Sequence, residues 1–490
     1  MILLKIHERD NVAVALRGLK KGETISLPWG GEITIQEDIP VSHKVSLIDL
    51  DQGQTILRYG QPIGKAVSAI PKGSWIHTHS LRLPDEMKSE PELKSGLAVL
   101  EGYGPSSFPG FTRAKGPAGI RNHLLILPTV ACACGVVRAI EQAVPEAVSL
   151  EHRYGCGRGG PDHLRTLATL EGIGTNPNVG AVLLIGLGCE TVKGEKMAEK
   201  IASSGRPVEY LEIQKSGGSR RTAARGIELA RAMLGSISSQ GREPHPISEI
   251  TVGLQCGGSD ALSGVTANPT VGLVSDWIVW QGGTAILAET TEMLGTVHLL
   301  QARAADKKVA EDIKTLISNQ EKMIRQLLGD MAHLAIAPGN MDGGLSSIME
   351  KSLGCINKGG SSPIQEVVEY AQPPSRKGLV IMDTPGYDVE SLGGLIAGGS
   401  QLIIFTTGRG TPVGTPVSAT IKVGSNTDLW RRMEDDIDLN AGRVADGERT
   451  LEEMGRELID LTMAVLGGKL TKSEQNHQEV IGISMTSIAG

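Results

Sequence analysis

The stretch Leu254–Gly272, LQCGGSDALSGVTANPTVG, combines the end of a strand with a loop typical of open α/β sheets. It continues an apolar, β-branched run, Ile250–Leu254, that predicts a buried strand. The loop holds a thiol, a carboxylate, two hydroxyls and an amide beside four glycines, which excludes a hydrophobic core segment. Ligands collect where loops leave the carboxyl ends of parallel strands, so the stretch is a candidate wall of a binding site. The alternative is a simple tight turn after a strand.

Composition restricts the class of protein. The 490 residues leave room for about three domains, and 40% apolar residues with 63 glycines indicate a globular, loop-rich enzyme. A net charge of −7 argues against nucleic acid as a partner, because nothing supplies a basic face.

The sequence predicts neither a secretory signal nor a membrane span. The start, MILLKIHERD, has too short an apolar run for a signal peptide, and no run of about 18 apolar residues exists. We therefore expect a cytoplasmic protein, and we expect it to be a homo-oligomer. In that compartment six cysteines are core, metal-binding or reactive thiols rather than disulfides.

Turn signals and periodicity predict an α/β fold with a small β-rich domain before it. Short strand candidates separated by turns occupy residues 1–80, and a polar, proline-bearing linker follows over 81–106. Strand and helix patterns then alternate through a first unit, 107–240, and a second unit, 249–490, which predicts mainly parallel sheets. A charged, periodic helix is expected from Leu299 to Met331.

Three successive strand-to-helix junctions in the first unit each carry a cysteine. These are Cys132, Cys156 and Cys189, and Cys256 stands at the equivalent junction of the second unit. Because parallel strands send their carboxyl ends the same way, we expect the thiols to converge on a thiolate site. The alternative is that each cysteine is a small packing residue. We assign no role to Cys134.

Two other patterns suggest ligand chemistry. His77 and His79 lie on the same side of an extended segment, because side chains alternate with period two, and could bind a metal or handle a proton. The alternative is two exposed histidines at a strand end. The loop Thr407–Thr411 offers backbone amides and a guanidinium suited to an oxyanion. No complete nucleotide motif is present.

The motifs together resemble the altronate dehydratase/galactarate dehydratase family of sugar-acid lyases nearly end to end. The resemblance rests on KIHERDNVAVAL (5–16), RYGQPIG (58–64), GIRNHLLILPTV (119–130), HRYGCG (152–157), IGLGCE (185–190), QCGGSDALSGVTANP (255–269), APGNMDGG (337–344), EKSLGC (350–355) and FTTGRGTP (405–412). It implies a fused N-terminal SAF domain, a catalytic α/β body and an iron-dependent loss of water from a hexonate or hexarate that yields a 2-keto-3-deoxy acid.

The subfamily markers disagree. His77–His79 and Cys355 resemble altronate dehydratases, whereas Gly73–Trp75 and Asp438–Gly442 resemble galactarate dehydratases. Sulfolactate sulfo-lyases are also similar, but they usually divide the two parts between subunits. We expect a hexonate such as D-altronate as substrate, with galactarate and then sulfolactate as alternatives.

Such a reaction requires stabilisation of an enediolate-like species and activation of the β-hydroxyl, which iron together with a positioned base can provide. Two ligand sets stay open: an iron–sulfur cluster on Cys132, Cys156, Cys189 and Cys256, or a single Fe(II) on His77, His79 and a carboxylate. The candidates for catalysis are His79, His152, Glu190 and Lys351. The candidates for substrate binding are Ser259, Asp260, Asn268, Arg409 and Thr411. For each, the alternative is an ordinary loop hydrogen bond.

Two other classes of function remain as alternatives. A thiol- or nucleotide-dependent oxidoreductase would carry a bound nicotinamide or flavin. A sugar-binding regulatory protein would bind ligand without turnover and without iron.

Overall fold

The computed structural model describes residues 2–82, 100, 102–329 and 335–485. Most of the predicted linker 81–106 and the predicted end of the long helix at Met331 lie outside these residues. Among the described helices, none combines the length and the apolar composition needed to cross a membrane.

Short antiparallel strands build the N-terminal domain, as the turn signals predict. The strands are β1 (Leu3–Leu4), β2 (Val12–Ala15), β3 (Thr24–Ser26), β4 (Glu32–Thr34), β5 (Lys44–Ser46), β6 (Thr55–Arg58), β7 (Gln61–Ala66), β8 (Trp75–Ile76) and β9 (Leu81–Arg82). They form the sheets β1-β2-β5-β8, β3-β4 and β6-β7-β9. Because β9 pairs with β7, this domain reaches Arg82 and not only residue 80.

A four-stranded parallel sheet forms the first α/β unit. Its elements are β10 (Ser107–Gly110), β11 (His123–Pro128), α1 (Cys134–Ala143), β12 (Val148–Ser149), α2 (Gly160–Gly174), β13 (Val179–Gly186), α3 (Gly194–Ala202), β14 (Val208–Glu212), α4 (Ser219–Ser238) and β15 (Glu243–Pro246). The strand order is β12-β11-β13-β14, and β10 pairs separately with β15.

A seven-stranded parallel sheet, β18-β19-β17-β16-β20-β21-β22, organises the second unit. Its elements are β16 (Thr251–Cys256), α5 (Ala267–Trp280), β17 (Thr284–Leu287), α6 (Val297–Gln301), α7 (Lys307–Leu328), α8 (Pro338–Asp342), α9 (Ile348–Cys355), β18 (Ile364–Val368), β19 (Gly378–Met382), α10 (Asp388–Ala397), β20 (Leu402–Thr407), β21 (Ala419–Gly424), α11 (Thr427–Arg432), β22 (Leu439–Asn440), α12 (Leu451–Leu466) and α13 (Lys472–Gln475).

The predicted α/β class with mainly parallel sheets is thus confirmed. The continuous helix predicted from Leu299 is wrong, because the chain turns between α6 and α7. At that turn Asp306 accepts a hydrogen bond from the backbone N–H of Val309 and begins α7. A side-chain cap of this kind satisfies a free amide and starts a new helix.

The N-terminal domain is attached to the body by a buried ion-pair network. Lys44 and Arg58 are both buried and both contact Glu350 of α9, and the Lys44 Nζ to Glu350 Oε2 distance is 2.9 Å. The backbones also meet closely at Gly344, where a side chain would come 2.2 Å from the carbonyl oxygen of Ser42. Burial alone would raise the pKa of Glu350, but Lys44 and Arg58 overcome it and lower that pKa to about 2.

We predict that Glu350→Gln destabilises the protein by about 3–5 kcal/mol, because it leaves two buried cations without their counter-charge. Urea unfolding measures the change. The matched control is Asp38→Asn, which breaks an exposed pair with Lys20 and should leave the unfolding midpoint unchanged.

The lowered pKa of Glu350 also predicts that the stability of the protein depends on pH. The Glu350 pKa is lowered on folding, so its stabilisation is complete above the usual carboxyl value of 4.5 and is lost as pH falls towards about 2. The difference in urea midpoint between the wild type and Glu350→Gln should narrow over that window. A difference that does not change with pH there would contradict this account.

Candidate functional site

Two thiols and four charged side chains form a buried cluster at the carboxyl end of the seven-stranded sheet. We call it the buried cluster; its members are Cys256, Glu289, Glu292, Lys351, Cys355 and Lys358. Cys256 ends β16, and the two glutamates follow β17. Lys351 and Cys355 lie four residues apart in α9, so they share one face of that helix.

The two thiols meet on one carboxylate. Cys256 Sγ and Cys355 Sγ each donate to Glu292 Oε2 at 2.8 Å, and the two sulfur atoms are 3.4 Å apart. Within the described residues, this is the one group of three or more potential metal-ligand atoms that all lie within 4.8 Å of one another.

The charges in the buried cluster are paired. Lys351 contacts Glu292, and Lys358 Nζ lies 2.7 Å from Glu289 Oε2. Burial alone would lower the pKa of Lys351, but Glu292 and the thiols raise it above its usual range. Burial and the neighbouring Glu292 raise the pKa of Glu289 to about 7. Burial also raises the pKa of the Cys256 thiol well above its usual value. When both glutamates are ionised, two carboxylates balance two ammonium groups, and the cluster is neutral while its thiols are protonated.

Glu289 is held in an uncommon conformation. Its backbone is left-handed, with φ 69° and ψ 66°, which a residue with a side chain adopts at a cost. Its Oε2 also accepts from the backbone N–H of Cys256 at 2.8 Å, but its buried Oε1 has no hydrogen-bond partner. A buried acceptor without a partner is unfavourable unless a ligand or water reaches it.

Two further groups lie beside the backbone that follows Cys256. A side chain placed at Gly257 would come 3.2 Å from Asp388 Oδ2, and one at Gly258 would come 3.0 Å from Arg409 Cβ. Burial and Glu292 raise the pKa of Asp388 to about 6. Arg409 is exposed. The glycines thus let the backbone after Cys256 approach Asp388 on one side and the base of the Arg409 side chain on the other.

Three histidines and a tryptophan gather where the N-terminal domain faces α8. Trp75 Nε1 donates to His43 Nδ1 at 3.1 Å, so His43 Nε2 carries the proton and donates to the carbonyl of Asp342. The Trp75 ring stacks on His77 and contacts His79 edge-on. Burial lowers the pKa of His77 to about 4, which keeps it neutral, and its buried Nδ1 has no partner.

The first-unit cysteines are exposed on neighbouring loops, apart from the buried cluster. Cys132, Cys156 and Cys189 follow β11, β12 and β13. The loops are joined by a hydrogen bond from Ala131 N to Tyr154 O at 2.9 Å and one from Val192 N to Gly155 O at 3.2 Å. Among the described residues, the partners that the structure gives Cys256 are Cys355 and Glu292 rather than these three thiols.

Two of the predicted catalytic residues, His152 and Glu190, form hydrogen bonds with the loops around them. His152 Nε2 donates to the Pro128 carbonyl at 2.7 Å, and its Nδ1 accepts from Tyr154 N at 3.1 Å. Glu190 accepts hydrogen bonds from Thr129 Oγ1 and from the backbone amides of Leu187 and Gly188. Both side chains are buried and hold the thiol-bearing loops in shape. Of the other two predicted catalytic residues, Lys351 belongs to the buried cluster and His79 is exposed.

Four of the predicted substrate-binding side chains form hydrogen bonds with other groups of the protein. Asp260 accepts hydrogen bonds from Ser263, Ser425 and Asn426. Asn268 accepts from Thr406 Oγ1 at 2.7 Å and donates to the Gly354 carbonyl at 3.0 Å.

The other two of these four side chains, Ser259 and Thr411, form hydrogen bonds with groups two residues away in the sequence. The Ser259 hydroxyl donates to the Gly257 carbonyl, and Thr411 Oγ1 accepts from Val413 N. Only Arg409, of the five predicted groups, is exposed.

Sequence reasoning missed the roles of Glu289, Glu292, Lys358 and Asp388 in this arrangement. Glu289 and Glu292 directly follow a predicted strand, which is the signal that could have identified them. Lys358 and Asp388 carry no local signal, because other parts of the fold bring them to the cluster.

Three family profiles match successive parts of the chain. "Altronate/galactarate dehydratase SAF domain" covers residues 1–84, "D-galactarate dehydratase/Altronate hydrolase, second domain" covers 110–238, and "D-galactarate/Altronate dehydratase, C-terminal" covers 247–488.

Curated relatives are similar over nearly the full length. Altronate dehydratase of Bacillus subtilis (strain 168) is 36% identical, over 99% of both chains. Altronate dehydratase of Escherichia coli (strain K12) is 33% identical, over 100% of both. Galactarate dehydratase (L-threo-forming) of Escherichia coli (strain K12) is 37% identical, over 95% of this chain and 93% of that protein.

We predict that Asn268→Ala destabilises the protein by about 1–3 kcal/mol, because it leaves buried hydrogen-bonding groups of Thr406 and Gly354 unpaired. Arg409→Ala should change stability by less than about 0.5 kcal/mol, since that side chain is exposed. Urea unfolding of both variants measures the contrast. Equal stabilities would contradict a structural role for Asn268.

Proposed function

Because this chain belongs to the D-galactarate/altronate dehydratase family, we propose that it is a hydro-lyase that removes water from a sugar acid. The substrate we favour is a hexonate such as D-altronate, and the product is a 2-keto-3-deoxy acid. Two of the similar proteins named above are altronate dehydratases, and in each case the match covers at least 99% of both chains. Galactarate is the second candidate, because a galactarate dehydratase is equally similar.

The observation that carries the proposal is the Lys351–Glu292 pair beside Asp388 at the carboxyl end of the sheet, with the exposed Arg409 on the loop that follows β20. Loss of water begins with removal of a weakly acidic proton next to the substrate carboxylate, so negative charge develops there. A lysine held in its charged form can stabilise that charge and donate a proton to the departing hydroxyl, and the carboxylate of Asp388 can accept the proton that is removed. Arg409 offers a fork of donors that suits the substrate carboxylate.

We further propose that the enzyme uses iron. When bound, iron supplies Lewis-acid polarisation of the substrate carboxylate and hydroxyl. The residues present fit such an ion, because thiolate and carboxylate ligands converge at Glu292 and the buried Glu289 Oε1 lacks a partner. The sets expected from the sequence, a thiolate cluster or a single ion on His77 and His79, also stay predictions. We also propose that the protein is cytoplasmic and that it forms a homo-oligomer.

We predict that Lys351→Met lowers kcat by about 10²–10⁴-fold, as expected for loss of a group that handles a proton. Arg409→Ala should raise KM about 10–100-fold, because one charge-assisted contact to the carboxylate is lost. The matched control is Arg225→Ala on the exposed face of α4, which should leave both constants unchanged. If Arg409→Ala behaves like that control, Arg409 does not bind the substrate.

The substrate proposal is tested with protein purified anaerobically, in which iron and sulfide are measured. Altronate, galactarate and sulfolactate are then assayed for release of 2-keto acid or sulfite. We expect turnover of altronate, and the best substrate decides between the candidates. Absence of both iron and turnover would refute the proposal. A bound nicotinamide or flavin would instead indicate an oxidoreductase, and sugar-acid binding without turnover would indicate a regulatory protein.

A further inference from the structure

We propose that Cys256, Glu292 and Cys355 form a binding site for one thiophilic divalent cation such as Fe²⁺, Zn²⁺ or Co²⁺. This inference deepens the proposed function and rests on it only for the role of the ion in turnover. The binding site itself is argued from the contacts of the three side chains.

The three ligand atoms already lie close to the required arrangement. Two thiolates about 2.3 Å from a tetrahedral ion are about 3.8 Å apart, and the two sulfur atoms here are 3.4 Å apart. Each sulfur lies 2.8 Å from Glu292 Oε2, which is shorter than the separation of two ligands of one ion. Outward movement of the side chains by less than about 1 Å would admit a cation.

The charged side chains around the two thiols allow one divalent cation to replace the two thiol protons. With both carboxylates ionised, Glu289 and Glu292 balance Lys351 and Lys358 while both thiols are protonated. Thiols must lose their protons to bind a metal, which adds two negative charges. One divalent cation cancels both, so the buried cluster is neutral with two thiol protons or with one cation. An isolated buried charge is thereby avoided in either state.

The donors also indicate which cations bind. Thiolates select Fe²⁺, Zn²⁺ and Co²⁺ over Mg²⁺ and Ca²⁺, which prefer oxygen ligands. The buried Glu289 Oε1, which has no hydrogen-bond partner, belongs to the same cluster and offers a further acceptor. Lys351 and Asp388 lie next to Glu292. An ion on Glu292 would therefore sit beside the groups assigned to the substrate.

The exposed thiols Cys132, Cys156 and Cys189 are the competing location. They lie on loops of the other sheet, and among the described residues they form no group with ligand atoms within 4.8 Å of one another. The buried cluster is favoured because its donors are already in contact and are fully desolvated.

The experiment is an anaerobic titration of metal-free full-length protein with Co²⁺, followed by absorbance. Thiolate ligation produces an intense charge-transfer band in the near ultraviolet, and we expect it to saturate at about one Co²⁺ per chain. Cys256→Ser and Cys355→Ser should each weaken binding at least about 10-fold, and the double variant should remove the band. Mg²⁺ should not compete.

The matched control is Cys134→Ser. Cys134 is a half-buried thiol that donates to the His152 carbonyl at 3.4 Å and lies outside the buried cluster, so its loss should leave the band unchanged. Where a variant fails to fold, alkylation of the thiols of the wild-type protein, measured by mass spectrometry, tests the site instead. In urea below the unfolding transition, where buried thiols open transiently, bound Co²⁺ should slow alkylation of Cys256 and Cys355 relative to the metal-free protein and leave the reactivity of Cys132, Cys156 and Cys189 unchanged.

A band that persists in the double variant, or protection confined to the three loop thiols, would overturn the site. The result is independent of turnover. Co²⁺ bound to the pair, together with no sugar-acid dehydration by the iron-loaded protein, would refute the proposed function and leave the site intact. Dehydration that continues in the double variant would show that this ion has no part in turnover and would leave the binding site intact.

Discussion

Buried charges must be paired, and the pairs made by α9 determine how the protein is assembled around its candidate site. Glu350 and Lys351 are consecutive, so they point to different faces of the helix. Glu350 binds Lys44 and Arg58 of the N-terminal domain, and Lys351 binds Glu292 beside the sheet. One short helix therefore connects the position of the small domain to the position of a proposed catalytic group. Displacement of either partner would leave a buried ion without its counter-charge.

The parts of the fold that depend on local patterns could be predicted from the sequence. The apolar run Ile250–Leu254 predicts β16 to within two residues, because buried parallel strands are continuously hydrophobic. The closely spaced turn signals of the first eighty residues predict the antiparallel domain. The break between α6 and α7 was missed, because hydrophobic periodicity continues across it and the cap at Asp306 is a single side chain.

The candidate site was predictable only in part, because its chemistry depends on contacts across long stretches of chain. Lys351 and Cys256 were identified, but the partner of Cys256 is Cys355, ninety-nine residues away. The loop that follows Cys256 has many polar groups, and the structure gives several of them hydrogen-bond partners within the protein. A buried glycine-rich loop has many free backbone and side-chain groups, and Asp260 and Asn268 satisfy them. Abundance of polar residues therefore indicates a buried loop at least as strongly as it indicates a ligand.

This internal use of polar side chains has a consequence for recognition of a sugar acid. Of the polar groups predicted on the loops around β16 and β20, Arg409 is the accessible one, and Lys351 with Asp388 lies at the edge of the buried cluster. Three such groups can define a carboxylate and the reacting carbon next to it, which are common to hexonates and hexarates. They supply few contacts to the remaining hydroxyls. For the proposed sugar-acid substrate, contacts to those hydroxyls would have to come from other surfaces, and the histidine–tryptophan group of the N-terminal domain is one that faces α8.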